Sequence, residues 1–227
     1  MAGVAKVAHF SPEFFAFFRD LKRHNDREWF GDNKARYLEH VEGPMLQFIA
    51  DFAPRLHTIS RAFVADKRRM GGSMFRIYRD TRFAADKSPY KTWTAARFAH
   101  EARRKVEGVP AFFTHLGPGD NFGGGGVYHL NMPQLTKIRH AIVESPRDWA
   151  KVRARVEVRG DQLKRAPAGF SAAHEHIEDL KRQNLFAMTP FTDAEVVAPG
   201  FIDAFTDACE RTAPLVEFQT KAMGLKW

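Results

Sequence analysis

The order of the hydrophobic patterns constrains the fold of this chain more than any other feature. Helical spacing dominates residues 11–60, strand-like runs follow over residues 74–130, and helical spacing returns over residues 131–227. Strands and helices that are segregated along a chain are typical of α+β proteins, whereas a parallel sheet requires them to alternate. We therefore predict one α+β domain over residues 1–227. Its mainly antiparallel sheet would be covered by an N-terminal helical layer and by C-terminal helices.

Local signals place the elements at the two ends of the chain. Ser11-Pro12-Glu13 is typical of a helix start, with a capping hydroxyl and a proline in the first turn. Asn25 or Asp26 is predicted to cap a second helix, which Gly43-Pro44 would end before a third. Towards the C-terminus, helices are predicted to begin at Asn131 and Ser145. A short helix over 174–182, a strand over 185–188 and a final helix over 199–223 follow.

The centre of the chain is predicted to hold the sheet. Residues 74–78 favour a strand, and residues 93–101 fit either a strand or an alanine-rich helix. Residues 111–116 and 123–130 are strand-like, and the turn residues 117–121 separate them. This pair is predicted to form a β-hairpin.

Composition excludes several classes of protein. One cysteine is too few for a disulfide scaffold or a cysteine-based zinc site, and 21 phenylalanines supply a core that a disordered chain lacks. No run of about 18 apolar residues is present, so we expect no membrane span. The first ten residues, MAGVAKVAHF, lack the pattern of a secretory signal, and we expect a soluble cytoplasmic protein.

The net charge of +8 arises from one segment. Residues 61–110 carry 13 lysines and arginines against five acidic residues, whereas the flanking segments 1–60 and 111–227 are each neutral. A basic excess confined to one segment indicates an anionic partner more strongly than a diffuse surplus does. The alternative is that these charges serve solubility and scattered surface ion pairs.

The densest group of charged and aromatic residues lies within residues 76–91 of that segment. Arginine suits a bidentate grip on phosphate or carboxylate, and Asp80 and Asp86 could hold the arginines in place. We predict a cleft that binds an anionic, phosphate- or carboxylate-bearing small ligand. Its predicted ligand-binding residues are Arg76, Tyr78, Arg79, Arg82, Lys87, Tyr90 and Lys91.

Two other interpretations of this group remain open. The arginines and aspartates could form a structural network that fixes helices to the sheet. The segment could instead be the electrostatic footprint of a non-catalytic nucleic-acid-binding module, since aromatic rings beside cations can stack on bases. No helix-turn-helix, zinc-finger or RNA-recognition motif supports that second alternative.

The same segment resembles a known family. Phe75-Arg76, the run from Tyr78 to Phe83 and the run from Asp86 to Lys91 resemble the signature of a bacterial and fungal family of conserved hypothetical proteins of unknown function. Motifs around residues 24–37, 123–139 and 163–170 agree with it, although His24 stands where the family pattern has asparagine. The resemblance implies a single α+β unit over most of the chain and implies no catalytic residues.

Other candidate sites are weaker. The glycine-rich run 117–126 could cradle an anion, but a hairpin turn with a bulge, or close backbone packing, is the favoured explanation, and no P-loop or dinucleotide fingerprint is present. His115 and His129 could face each other across the hairpin. The spacing of His174 and His176 would prevent chelation of one metal ion, and Cys209 fits an inert core thiol.

Whether the protein is an enzyme stays open at this point. If it is, general acid–base chemistry with Asp80 and His129 as the catalytic pair is the simplest mechanism. No cofactor and no metal ion is predicted, and the sequence gives no oligomeric state.

Overall fold

A computed structural model describes residues 7–128 and 130–227 of the chain. Its N-terminal layer consists of α1 (Pro12–Arg23), α2 (Arg27–Asp32), α3 (Lys34–Tyr37), a π-helical turn and α4 (Gly43–Ile59). The predicted start at Ser11 is confirmed, with Pro12 in the first turn of α1, although the Ser11 hydroxyl makes no capping hydrogen bond. Asp26, rather than Asn25, caps α2, because its carboxylate accepts a hydrogen bond of 2.9 Å from the backbone N–H of Trp29.

The predicted break at Gly43-Pro44 is wrong. The chain passes from α3 through the π-helical turn Leu38–Glu42 directly into α4. Pro44 is tolerated because it lies in the first turn of α4. A Cβ atom at Gly43 would lie 3.0 Å from the carbonyl oxygen of Leu38, so glycine permits the close approach of the backbone at this turn.

The sheet is antiparallel throughout, as predicted. β1 (Thr94–Ala99), β2 (Ala111–Gly117), β3 (Asp120–Val127) and β4 (Leu185–Phe191) lie in the order β1-β2-β3-β4. The two residues Pro118 and Gly119 close the β2–β3 hairpin, and Gly119 has a φ of 75°. The ambiguous residues 93–101 form β1 and the start of a 3₁₀ turn over Glu101–Arg104.

Two further local predictions are wrong, and one helix was missed. Residues 74–78 form only isolated bridges, Met74 to Ala96 and Tyr78 to Tyr90, because tertiary contacts rather than a continuous partner strand hold them. The helix predicted over 174–182 is reduced to α7 (Ile177–Leu180). A further helix, α8 (Asp193–Val197), was not predicted, although the capping box of Thr192 and Glu195 marks its start.

The remaining helices cover one face of the sheet. α5 (Met132–Glu144), α6 (Pro146–Arg155) and α9 (Phe201–Ala222) follow the predicted pattern. α9 crosses β3 at its glycines: a Cβ atom would lie 2.6 Å from the ring of Phe205 at Gly123 and 2.6 Å from Val216 at Gly125. Glycine at these positions therefore allows the close packing of α9 on the sheet.

The core has a main part between the N-terminal helices, the sheet and α9, and a second part between α5, α6 and α9. α9 contributes to both, with Phe205 in the first and Leu215 in the second. Among the described residues, no helix is both long enough and apolar enough to cross a lipid bilayer.

Candidate functional site

The basic segment forms a short antiparallel crossing followed by a loop. The backbone N–H of Arg79 donates to the carbonyl of Pro89 at 2.9 Å, and that of Lys91 donates to the carbonyl of Ile77 at 2.8 Å. Tyr78 and Tyr90 face each other between these hydrogen bonds. Residues 80–88 therefore extend from a fixed base.

Asn25 connects this base to the helical layer. Its side-chain amide donates to the carbonyl of Tyr90 at 3.0 Å, and its amide oxygen accepts from the N–H of Tyr90 at 3.1 Å. The buried ring of Tyr90 also stacks on Phe30, with the two centroids 4.1 Å apart. Asp26 caps α2, so the side chain of Asn25 does not cap the helix and instead binds the backbone of Tyr90.

Two arginine–aspartate pairs order the loop. Asp80 accepts two hydrogen bonds from the guanidinium of Arg82, at 3.0 and 2.7 Å, and these lower the pKa of its carboxyl. Asp86 accepts from Ser88 and from Arg79, which together hold its pKa well below the usual range. Both carboxylates are therefore ionised and weakly basic at neutral pH.

Lys91 is held differently from the arginines. Its ammonium donates to the backbone carbonyls of Arg76, at 2.6 Å, and Tyr78, at 2.8 Å. It also lies 5.6 Å from the ring centroid of Trp93. Burial, followed by the positive charges of Arg76 and Arg79, lowers the pKa of Lys91. The ammonium thus lies in a positive field, bonded to neutral oxygens.

A groove of about 530 Å³ opens beside these residues. It unites four of the predicted site residues, two of them cationic, with six that the prediction had omitted from the site. The predicted members are Arg79, Asp80, Tyr90 and Lys91, and the added ones are Lys22, Asn25, Asp86, Ser88, Thr92 and Trp93.

The other predicted site residues lie outside the lining of this groove. Arg82 is exposed and paired with Asp80, and Lys87 donates to the carbonyl of Thr81 at 3.0 Å. Tyr78 is 57% exposed beside Tyr90, and Arg76 contributes to the site through its carbonyl and its charge. His129 falls outside the described residues.

The glycine run contributes to packing rather than to an anion cradle. Asp193 already accepts hydrogen bonds from the N–H of Gly119 at 2.9 Å and from the side chain of Asn121 at 2.7 Å. Gly123 and Gly125 pack under α9. A carboxylate of the chain itself therefore occupies the turn.

His115 and Cys209 lie in surroundings that indicate a structural role for each. The ring of His115 stacks on Phe122 with centroids 4.8 Å apart, and burial lowers its pKa against the opposing effect of Asp120. Cys209 is fully buried, which raises the pKa of its thiol well above the usual value. Within residues 7–128 and 130–227, no cluster of three or more potential ligands is arranged for a metal ion.

A larger groove of about 830 Å³ lies between α5, α6 and α9, away from the basic segment. Two of its lysines are neutralised within their own helices: Lys151 contacts Asp148 at 2.8 Å, and Lys221 contacts Glu217 at 2.6 Å. The smaller groove is the better candidate, because the ammonium of Lys91 there contacts carbonyls instead of a carboxylate.

Comparison with known protein families agrees with the resemblance seen in the sequence. Residues 13–218 match the family of conserved hypothetical proteins DUF2461. The chain belongs to this family. No curated protein and no solved structure matches the chain. The match covers most of the chain, in agreement with the α+β fold described above, and the family description names no activity.

Proposed function

We propose that this protein binds an anionic small ligand, bearing phosphate or carboxylate, in the groove beside Lys91. The convergence of three cations on one groove carries the proposal: Lys22, Arg79 and Lys91 line it together with the rings of Tyr90 and Trp93. Positive groups held close together attract an anion and suit its recognition.

Each cation would contribute differently. Arg79 bonds to Asp86 through one nitrogen, and the remaining N–H groups of its fork are available for a planar oxyanion. The ammonium of Lys91 has three protons, two of which point to carbonyl oxygens. A bound anion would also relieve the repulsion among Lys91, Arg76 and Arg79. Catalysis by Asp80 and His129 stays a prediction from the sequence: the hydrogen bonds from Arg82, which lower the pKa of Asp80, make its carboxylate a weak proton acceptor.

One observation favours the nucleic-acid alternative for the basic segment. Phe83 at the tip of the loop is 95% exposed, and the guanidinium of Arg82 lies 5.8 Å from its ring. An exposed ring beside a cation is suited to stacking on a base. In this second candidate function, residues 61–110 would bind nucleic acid without catalysis.

A thermal-shift screen separates the two functions. Wild type, Arg79→Gln and Lys91→Met are tested with phosphate metabolites, organic acids, nucleotides and oligonucleotides at two salt concentrations. A ligand at about 100 times its Kd adds about 2.7 kcal/mol of stability. We expect a small anion to stabilise wild type with weak salt dependence and to fail with both variants. Stabilisation by oligonucleotides alone, lost at high salt, would support the alternative.

A matched control is Arg159→Gln, which removes an exposed arginine paired with Glu157 at 3.2 Å, outside the lining of the groove. It should respond to ligands as wild type does. If no anion shifts the melting of wild type, the proposed function is wrong. If Arg79→Gln lowers stability and does not change ligand binding, the arginine–aspartate pairs form a structural network, which is the other interpretation that the sequence left open.

We also propose that residues 1–227 form one domain, because α9 contributes to both main parts of the core. Chemical unfolding should then follow a single transition by fluorescence and by circular dichroism. Two separate unfolding transitions would show that the chain contains more than one domain. A cytoplasmic location stays a prediction.

A further inference from the structure

The face of the sheet opposite α9 carries an unusual set of side chains. Successive residues of a strand point to opposite faces, and Gly123 and Gly125 lie on the side of α9. Phe122 and Gly124 therefore belong to the other face, and strand register puts His115 and Phe113 beside them. The exposed faces of antiparallel sheets are commonly polar. This one is aromatic.

Six rings form a continuous path across this face, which we call the outer aromatic band. Each ring contacts the next, with centroid distances of 4.6, 4.8, 6.0, 6.5 and 5.7 Å. All six remain partly or largely exposed. In order along the path, the members are Trp93, His115, Phe122, Phe113, Phe186 and Tyr128.

Cations accompany the band. Arg97 lies on the same face, in register with Phe113, and donates to the carbonyl of Val109 at 2.7 Å. In the described part of the chain, no carboxylate lies within ion-pair distance of Arg97, and burial together with the charge of Arg103 lowers its pKa. At the other end, Lys91 approaches Trp93. Positive charge thus lies beside the band at Phe113 and at Trp93, and one carboxylate, that of Asp120, lies 3.4 Å from His115.

We infer that the outer aromatic band binds single-stranded nucleic acid, with unpaired bases stacking on its rings and phosphates meeting the cations beside it. Stacking needs only the flat face of a base, and single-strand-binding folds combine aromatic rings with a basic path in this way. Four strands about 4.8 Å apart give a platform about 14 Å wide. Such a platform is wider than a single nucleotide and can hold several bases.

Charge favours this occupant over a second copy of the chain. The net charge is +8, and a symmetric interface would bring the cations of both copies together. The surface is different from the groove and also from the exposed loop at Phe83. It shares only Trp93 and Lys91 with the groove, so the inference goes beyond the proposed function and can fail separately.

The test measures binding of fluorescein-labelled dT12 and U12 by fluorescence anisotropy. The double variant Phe122→Leu with Phe186→Leu keeps apolar volume and removes two stacking faces. We expect its Kd to rise at least about tenfold, since stacking accounts for about 1–3 kcal/mol per base. Phe83→Leu is the matched control, because it removes an exposed ring outside the band, and its Kd should equal that of wild type.

A second readout uses the wild-type chain, so it does not depend on the double variant folding. Addition of dT12 should quench tryptophan fluorescence, and Trp93→Phe should abolish most of that quenching. Absence of binding by wild type, or equal Kd values for wild type and the double variant, would overturn the inference. So would loss of binding in Phe83→Leu, which would place the nucleic acid on the basic loop.

Two further results separate the occupants and the two proposals. Light scattering should show a monomer for wild type; a dimer that the double variant disrupts would assign the band to self-association and contradict the inference. The double variant should bind inorganic sulfate as wild type does. Loss of oligonucleotide binding with sulfate binding intact supports the band, whereas sulfate binding that is absent even in wild type counts only against the groove.

Discussion

The two faces of the sheet use the same residue type in different surroundings. On the inner face, Phe98 and Phe112 are fully buried beneath α4 and α9, where Phe98 contacts Phe52 and Phe205. On the outer face, Phe113 and Phe122 contact each other and remain partly exposed. A phenylalanine stabilises the fold only as far as the next layer removes it from water.

This difference divides the sheet into a face that packs against helices and a partly exposed face, on which we propose binding. Gly123 and Gly125 allow α9 to approach the inner face closely. The outer face continues at Trp93 into the groove of Lys91 and Arg79. Substitutions on the inner side should therefore act on stability, and substitutions on the outer side should act on binding.

The largest expected effect is on the inner face. Phe205→Ala should lower the free energy of unfolding by about 3–5 kcal/mol, because it removes a fully buried ring beneath Phe48 and Phe52. Phe186→Ala on the outer face should cost less than half as much. Urea denaturation of both variants measures the difference. Equal decreases in the free energy of unfolding would show that the outer face is packed as closely as the inner face, and the two faces would then not differ.

Gly125→Ala is the next test of the inner face. Its new Cβ atom would lie 2.6 Å from Val216 and 2.9 Å from the ring of Phe112, so we expect a loss of about 1–3 kcal/mol. Gly31→Ala in α2 meets nothing within 4 Å and should stabilise by about 0.5–1 kcal/mol. A denaturation curve that shows Gly125→Ala to be as stable as wild type would contradict the close packing of α9.

Two neighbouring residues sharpen the comparison at the groove. Asn25→Ala removes both hydrogen bonds to the backbone of Tyr90 and should cost about 1–2 kcal/mol. Asp26→Ala removes the cap of α2 and should cost about 1 kcal/mol. Calorimetry with sulfate should show weaker binding only for Asn25→Ala. Equal binding by the two variants would show that Asn25 does not shape the groove.

The smallest expected effect is a pH dependence of anion binding. Burial and then the charges of Arg76 and Arg79 lower the pKa of Lys91 below its ordinary value of 10.5. As pH rises through this lowered pKa, Lys91 loses its charge, so sulfate affinity should begin to fall before an ordinary lysine would titrate. Lys91→Arg keeps its charge and should abolish this fall. Calorimetry measures the sulfate affinity of wild type and of Lys91→Arg across alkaline pH. The same pH dependence in both proteins would show that Lys91 does not bind the anion.

The sequence predicted the features that depend on local signals. Ser11-Pro12 starts α1, Asn131 caps α5, and the hairpin closes within the predicted turn 117–121, although β3 begins at Asp120 rather than at 123. Helical and strand periodicities report which residues are apolar along one element, so these elements could be derived without a structure.

The rest depends on contacts between distant residues. Asn25 carries no signal that it binds the backbone of Tyr90, 65 positions away. Consecutive apolar residues such as Phe112 and Phe113 do not reveal which one faces α9. Four predicted site residues meet at the groove, but sequence spacing alone could not separate Lys91, held by carbonyls, from Lys87, which lies outside the lining.

The most direct test of the account is a map of backbone amide chemical shifts during titration with sulfate. We predict saturable shifts that centre on Asn25, Arg79 and the run from Ser88 to Trp93, and that disappear in Lys91→Met. Shifts centred on Lys137, Lys151 and Lys221 would place the anion in the larger groove between α5, α6 and α9. That result, or no saturable shift at all, would contradict the central claim that the groove of Lys91 binds anions.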